Sequence, residues 1–252
     1  MISDIHAVVL AGGKGTRLRP YTITLPKPLV PVGERPVLEV VFGQLREAGV
    51  TRVTLAVNHM AELLMAYFGD GSRYGLKVDY SLEDQPLGTI GPLRLIKDLP
   101  ESFMVMNGDV LTDLDYRRFW AAHLASDCLA SVCTYERVVK IDFGILQPDE
   151  RGFLTAFQEK PTLTHRVSMG IYAFRREILE LVPHDRPFGF DDLMHRMLRE
   201  GMPVRCHHHQ GQWLDIGRPG DYEEAQQLVG LDTSSANGKV GPGRPAAPAI
   251  FR

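Results

Sequence analysis

The feature that most constrains this chain lies at its start. An apolar run, Ala7-Val8-Val9-Leu10-Ala11, breaks into three glycines within four residues, Gly12, Gly13 and Gly15. A cationic segment follows, with Arg17, Arg19 and Lys27. An uninterrupted aliphatic run bounded by glycine reads as a strand buried on both faces. Glycine lets the next stretch of backbone take positive φ and come close to a ligand. Successive exposed N–H groups in such a turn form an anion-binding concavity. Arg17 adds a guanidinium able to fork onto a phosphate. The segment therefore reads as a triphosphate-binding loop. It matches neither common phosphate loop: no Lys-Ser or Lys-Thr pair follows these glycines, and G-x-G-x-x-G from Gly13 would need glycine at Leu18.

Composition narrows the class. With 252 residues, 44% of them hydrophobic, the chain can bury a full core. A formal net charge of −3 gives no basic field for nucleic acid. Cys128, Cys133 and Cys206 form no C-x-x-C pair, which favours a reducing compartment over a disulfide framework or zinc ribbon. No basic-then-apolar leader and no run of 18 apolar residues occurs, so the expectation is a cytoplasmic protein with no membrane partner.

After the loop the pattern alternates. Pro36 to Ala48 reads as a helix, with Val37, Val41, Leu45 and Ala48 at helical spacing and Gly49 as terminator. Val53–Val57 reads as a strand, Ala61–Phe68 as a helix and Val78–Leu82 as a third strand. This βαβαβ rhythm implies a doubly wound, mostly parallel, Rossmann-like α/β sheet with ligands at the carboxyl ends of its strands. Phe103–Met106 is a further strand, ending in Asn107-Gly108-Asp109 and so placing a carboxylate on the ligand face. Asp113 and Asp115 follow, and Asp115 suits the N-cap of a helix over Tyr116–Ala125.

The second half turns to strands at Leu129–Tyr135, Phe143–Gln147, Phe153–Gln158 and Val167–Phe174, with turns at Pro148-Asp149 and Arg151-Gly152. Helices are expected over Arg175–Val182 and Phe190–Glu200. His207-His208-His209 is not expected to bind metal, because consecutive strand residues face opposite sides and no second cluster completes a site. From Gly230 the composition collapses into Gly, Pro, Ser and Ala. The expected division is a catalytic domain over 1–230 and a disordered tail over 231–252.

The whole opening string, Leu10-Ala11-Gly12-Gly13-Lys14-Gly15-Thr16-Arg17-Leu18-Arg19-Pro20 closed by Lys27-Pro28, resembles the signature of the sugar-1-phosphate nucleotidylyltransferases. Later motifs agree. Asn107-Gly108-Asp109 resembles the family's N-G-D, Phe143-Gly144 its [YF]-G-x-[VIL], Glu159-Lys160-Pro161 its E-K-P, and Trp213-Leu214-Asp215-Ile216-Gly217 its W-x-D-I-G. Ser168-Met169-Gly170 departs from the usual N-A-G, and Arg218 stands where threonine is usual. The likeness covers about residues 5–228, and no hexapeptide repeat for an appended β-helix occurs.

The resemblance implies a glycosyltransferase-A-like fold with a small β-rich sugar-binding subregion. It implies transfer from an NTP to a sugar 1-phosphate, assisted by Mg²⁺ on Asp109 and Asp215. Arg17, Lys27, Asp109 and Asp215 would be catalytic. Leu10, Ala11, Gly12, Gly13, Gly15, Thr16, Arg17, Glu83, Pro86, Gly88, Asn107 and Gly108 would hold the nucleotide. Gly144, Glu159, Lys160, Gly170 and Trp213 would hold the sugar phosphate. Glu83 favours GTP, because an acceptor-only carboxylate suits the N1–H and N2–H₂ donors of guanine. Pro86-Leu87-Gly88-Thr89-Ile90-Gly91-Pro92-Leu93 resembles the mannose- and heptose-1-phosphate guanylyltransferase branch. Three other readings stay open: a uridylyl- or thymidylyltransferase; a nucleotide-sugar glycosyltransferase using Asp113-Leu114-Asp115 as a D-x-D metal motif; and an inactive regulatory subunit. The sequence also leaves open a homo-oligomer.

Overall fold

The structure is a computed structural model. It describes residues 5–217 and 219–236, with 229–236 described by backbone alone. Strand β1 (Ile5–Leu10) runs into the glycine loop. Short strands β2 (Pro31–Val32) and β3 (Arg35–Pro36) pair ahead of helix α1 (Val37–Glu47), followed by β4 (Val50–Val57), α2 (Ala61–Phe68) and β5 (Lys77–Leu82). Then come β6 (Ser102–Asn107), β7 (Val110–Thr112) and α3 (Tyr116–Leu124). The second half holds β8 (Ala130–Lys140), β9 (Ile145–Pro148), β10 (Leu154–Gln158), β11 (Thr162–Arg175), α4 (Phe190–Arg199), β12 (Val204–His209), β13 (Trp213–Asp215) and α5 (Pro219–Ala236).

Seven strands form one sheet in the order β12-β8-β11-β6-β1-β4-β5. Neighbours run parallel except at β11, which is antiparallel to both β6 and β8. The expected doubly wound, mostly parallel architecture is the one observed. Alternation along β1 sends Ala7 and Val9 to one face, under α1 and α3, and Val8 to the other, under α4. Both faces are covered, which is why the strand reads as a continuous aliphatic run. The chain moves outward from β1 to β4 and β5, then returns to β6 on the far side of β1. The topological switch therefore lies between β1 and β6, and a crevice opens there beyond the strand ends.

Several expectations shift. Arg176–Leu181 forms a 3₁₀ turn rather than an α-helix. Its carbonyls are diverted to guanidinium groups: Arg94 Nη1 donates to Leu179 O and Val182 O, and Arg196 Nη1 donates to Leu181 O. β8 and β11 extend well beyond the expected strands, pairing out to Lys140↔Thr162 as a two-stranded ribbon. With β9 and β10 this ribbon makes an arm whose apolar side chains, such as Phe143 (78% exposed), stand in solvent. The expected domain boundary at 230 falls inside α5. That helix is anchored by buried Tyr222 and Ala225, and continuing an established helix costs little even through Gly230. The rest of the expected tail, 237–252, lies outside the described residues, as does Arg218.

Candidate active site

Four strands deliver their carboxyl ends to one edge of the sheet. The glycine loop follows β1, Asn58 follows β4, Glu83 follows β5, and Gly108-Asp109 follow β6. All of these line a single cleft of about 410 Å³, with Leu10, Ala11, Thr16, Arg17, Lys27, Pro86, Gly88 and Asn107. The loop is pinned at Gly15. Its φ of 59° is the left-handed region, and a Cβ there would fall 2.9 Å from the Thr22 methyl. Thr22 Oγ1 donates to Gly15 O at 2.7 Å. The short turn Thr16–Leu18 buries Leu18 completely and leaves Arg17 exposed, at the rim of this cleft and of a neighbouring one.

Charged groups meet at the switch point. Lys27 Nζ is ion-paired with Asp109 Oδ2, and the two side chains are only 14% and 15% exposed. Asp109 Oδ1 is buried and has no partner among the described residues. β13 pairs antiparallel with β7 so that Asp215 lies opposite Val110, and Ile216 N donates to Asp109 O at 3.0 Å. Burial raises the carboxyl of Asp215 above its usual range, and the Asp109 charge raises it further, while Lys27 and Arg17 oppose the shift. Asp215 thus carries its charge at a cost, close enough to Asp109 to feel it, and Asp109 Oδ1 is left without a partner among the described residues. That donor set suits a hard divalent cation, which takes one or two carboxylates and completes its shell with water and phosphate.

At the far wall, Glu83 is half-buried and its carboxyl is shifted upward by burial, opposed by the hydrogen bond from Leu87 N to Oε2 at 3.0 Å. Oε1 faces the backbone of Gly12. Asn58, which the sequence reading missed, donates from Nδ2 to Glu83 O at 2.8 Å and so joins the ends of β4 and β5. Its position directly after a parallel strand was the available signal.

A second cleft, of about 720 Å³, opens on the other side of Arg17 and Asp215. Tyr135, Glu136 and Trp213 line it, with Asp221 and Glu224 of α5. Trp213 Nε1 donates to Met169 O at 3.1 Å, and its ring lies 5.3 Å from that of Tyr135. Gly170, at φ 74° in a bulge of β11, is where a Cβ would strike Asn107 Nδ2 at 2.5 Å. This glycine therefore makes room for Asn107 at the end of β6. The remaining sugar-site candidates sit apart. Glu159 and Lys160 are 61% and 66% exposed between β10 and the outer end of β11, and Gly144 packs against Phe157; none of them lines either cleft.

The D-x-D reading does not survive. Asp115 accepts from Arg118 N as the cap of α3, and Asp113 is engaged by His209 and Gln212, away from the cleft. Among the described residues no group of three His, Cys, Asp or Glu could hold a metal ion by itself.

Residues 6–230 match the family described as Nucleotidyl transferase. The chain belongs to that family. Over 98% of its length this nucleotidyl transferase is 31% identical to a UTP--glucose-1-phosphate uridylyltransferase of Synechocystis sp., and over 87% it is 32% identical to a mannose-1-phosphate guanylyltransferase of Mycobacterium tuberculosis. It spans 68% and 63% of those relatives' lengths. HddC from Yersinia pseudotuberculosis, also solved in complex with GMP-PN, superimposes with TM-scores of 0.70 and 0.69 at 27% identity, covering 89% of this chain and 99% of HddC. No described helix is long and apolar enough to cross a membrane.

Proposed function

We propose that this chain transfers a nucleotidyl group from an NTP, GTP by preference, to a sugar 1-phosphate, releasing pyrophosphate. The observation that carries the reading is the meeting of Arg17, Lys27, Asp109 and Asp215 beside the glycine loop. A sugar-phosphate oxygen attacks the α-phosphorus, and the bond from that phosphorus to the bridging oxygen breaks, so pyrophosphate leaves with the electron pair. The attacking oxygen is already an anion and needs no general base. The work is positioning and charge neutralisation. Backbone N–H groups of Gly12, Gly13 and Gly15 cradle the triphosphate. Arg17 holds the departing phosphates. Lys27, at the switch point, offsets repulsion between the α-phosphate and the incoming phosphate. Asp109 and Asp215 would hold Mg²⁺, which neutralises charge on the reacting oxygens when bound. Trp213, in the second cleft beside Tyr135, is assigned to the sugar phosphate, together with Glu159, Lys160 and Gly144 of the arm outside that cleft. Mannose-, heptose- and cyclitol-like phosphates are the favoured acceptors.

Guanine is favoured because the Glu83 carboxylate, whose Oε2 accepts from Leu87 N, keeps Oε1 free of donors among the described residues. The mannose-1-phosphate guanylyltransferase likeness and the GMP-PN complex of HddC point the same way. The uridylyltransferase likeness, at similar identity, favours UTP as the second reading. A matrix of GTP, UTP, dTTP, ATP and CTP against mannose, glucose, heptose and cyclitol phosphates, scored by released pyrophosphate, decides both substrates. Tight nucleotide binding without turnover on any pair would reject the enzyme reading.

A further inference from the structure

Two sequence features remain outside both clefts: the histidine run ending at His209, and Asp113 of the Asp113-Leu114-Asp115 string. They meet. His209 Nε2 lies 2.9 Å from Asp113 Oδ1, 3.2 Å from Gln212 O and 3.4 Å from Thr112 Oγ1. Thr112 Oγ1 spends its proton on Gln212 O at 2.6 Å, so all three atoms around Nε2 present acceptors. Nε2 therefore carries a hydrogen. Asp113 Oδ1 also accepts from Gln212 N at 2.6 Å, and Asp113 N donates to Gln212 O at 3.3 Å.

These bonds all fall at one end of the ladder between β7 and β13. The other end holds Asp109 and Asp215. The ladder is only three residues long on each side, Val110↔Asp215, Leu111↔Leu214 and Thr112↔Trp213. So short a pairing fixes its own register weakly. Register matters here because side chains alternate. Trp213 and Asp215 share one face of β13 and are half-buried at the second cleft, while Leu214 lies on the opposite face and is buried. A slip by one residue would exchange those faces and carry Asp215 away from Asp109.

We propose that His209 and Asp113 are positioning residues: they clamp the β7–β13 register from its far end and so hold Asp109 and Asp215 as a pair. The inference rests on the nucleotidyl-transfer reading, in which that pair serves the reaction. The scale is set by misplacement: a shift of about 1 Å in a reacting constellation costs up to ~10²-fold in rate, and loss of an outer supporting partner costs ~10–100-fold in metal affinity.

The test uses the full-length chain with His209→Phe, which keeps a ring beside Tyr135 but loses the donor, and His209→Gln, which restores an N–H. Asp113→Asn is the second site, for use if His209→Phe melts below the assay temperature. Amide exchange is followed by mass spectrometry over residues 212–217 without nucleotide, and pyrophosphate release is followed against Mg²⁺ concentration. With the clamp lost, exchange over 212–217 accelerates, the half-activating Mg²⁺ concentration rises ~10-fold and kcat falls, while the KM for NTP stays within about twofold. His209→Gln returns most of the loss. Unchanged exchange overturns the proposal, as does faster exchange with an unaltered Mg²⁺ curve and kcat, which would make the cluster structural only. If the unsubstituted chain releases no pyrophosphate from any substrate pair, the functional reading fails, and this proposal fails with it. Release that is indifferent to His209→Phe defeats this proposal alone.

Discussion

In the parallel half of the sheet, β1, β4, β5 and β6 bring glycines, amides and carboxylates to one edge above a core covered on both faces. In the arm of β9, β10 and the outer ends of β8 and β11, the polar candidates and their apolar neighbours alike stand in solvent. The first region has its geometry imposed by topology: a residue just past a parallel strand must lie over the switch point. The second has no core of its own, so the place of Glu159 and Lys160 depends on how a two-stranded ribbon leaves the sheet.

Four experiments press on that contrast. The largest effect belongs to the rigid edge. Arg17→Ala and Asp109→Ala each lower kcat/KM by ~10²–10³, the range for removal of an electrostatic contact to a developing charge; steady-state pyrophosphate release measures it, and wild-type turnover in both variants would sink the site. Asp215→Asn loses comparable activity but gains stability. Its folded pKa is raised, so its ionised form costs stability; that cost is absent in acid and complete once pH passes the folded value. At pH 7.5 the variant should melt above the parent in calorimetry, and a lower melting temperature would contradict the charge balance described.

The arm should respond more gently. Glu159→Gln and Lys160→Ala raise the KM for the sugar phosphate by ~10-fold, the order of one charge-assisted hydrogen bond, and leave the KM for NTP unchanged. An effect on both substrates would show that the arm does not divide from the core as drawn. The last effect concerns stability alone and lies in the core itself. His6 and His123 are held down to about 4, chiefly by burial and then by Arg52 and Arg175 respectively. Folded values below the unfolded one mean that their contribution is intact above pH 6.5 and is lost as pH falls towards 4. Each costs up to ~1.4 kcal/mol per pH unit in that window. Urea midpoints should decline across it, and His123→Gln should shallow the decline.

The same contrast explains what could be read in advance. Ala61–Phe68 was placed to the residue because its pattern ends at Gly69 and begins after a strand. Gly12, Arg17, Lys27 and Asp109 could be named because a loop motif and a strand-end carboxylate carry their location with them. Asp113 and His209 could not be joined: they are 96 residues apart, and their meeting depends on β12 and β13 folding back along β8 and β7. The 3₁₀ turn at Arg176–Leu181 was hidden for a similar reason, since the guanidinium groups that divert its carbonyls come from Arg94 and Arg196.

β11 is one unbroken strand from Thr162 in the arm to Arg175 in the core, and its bulge presses Gly170 against Asn107. The arm is thus mounted on a lever whose fulcrum touches the floor of the cleft at the switch point. Sequence drift in the hairpin is consequently not a local matter: the same strand that carries it runs on to rest against Asn107, two residues before Asp109.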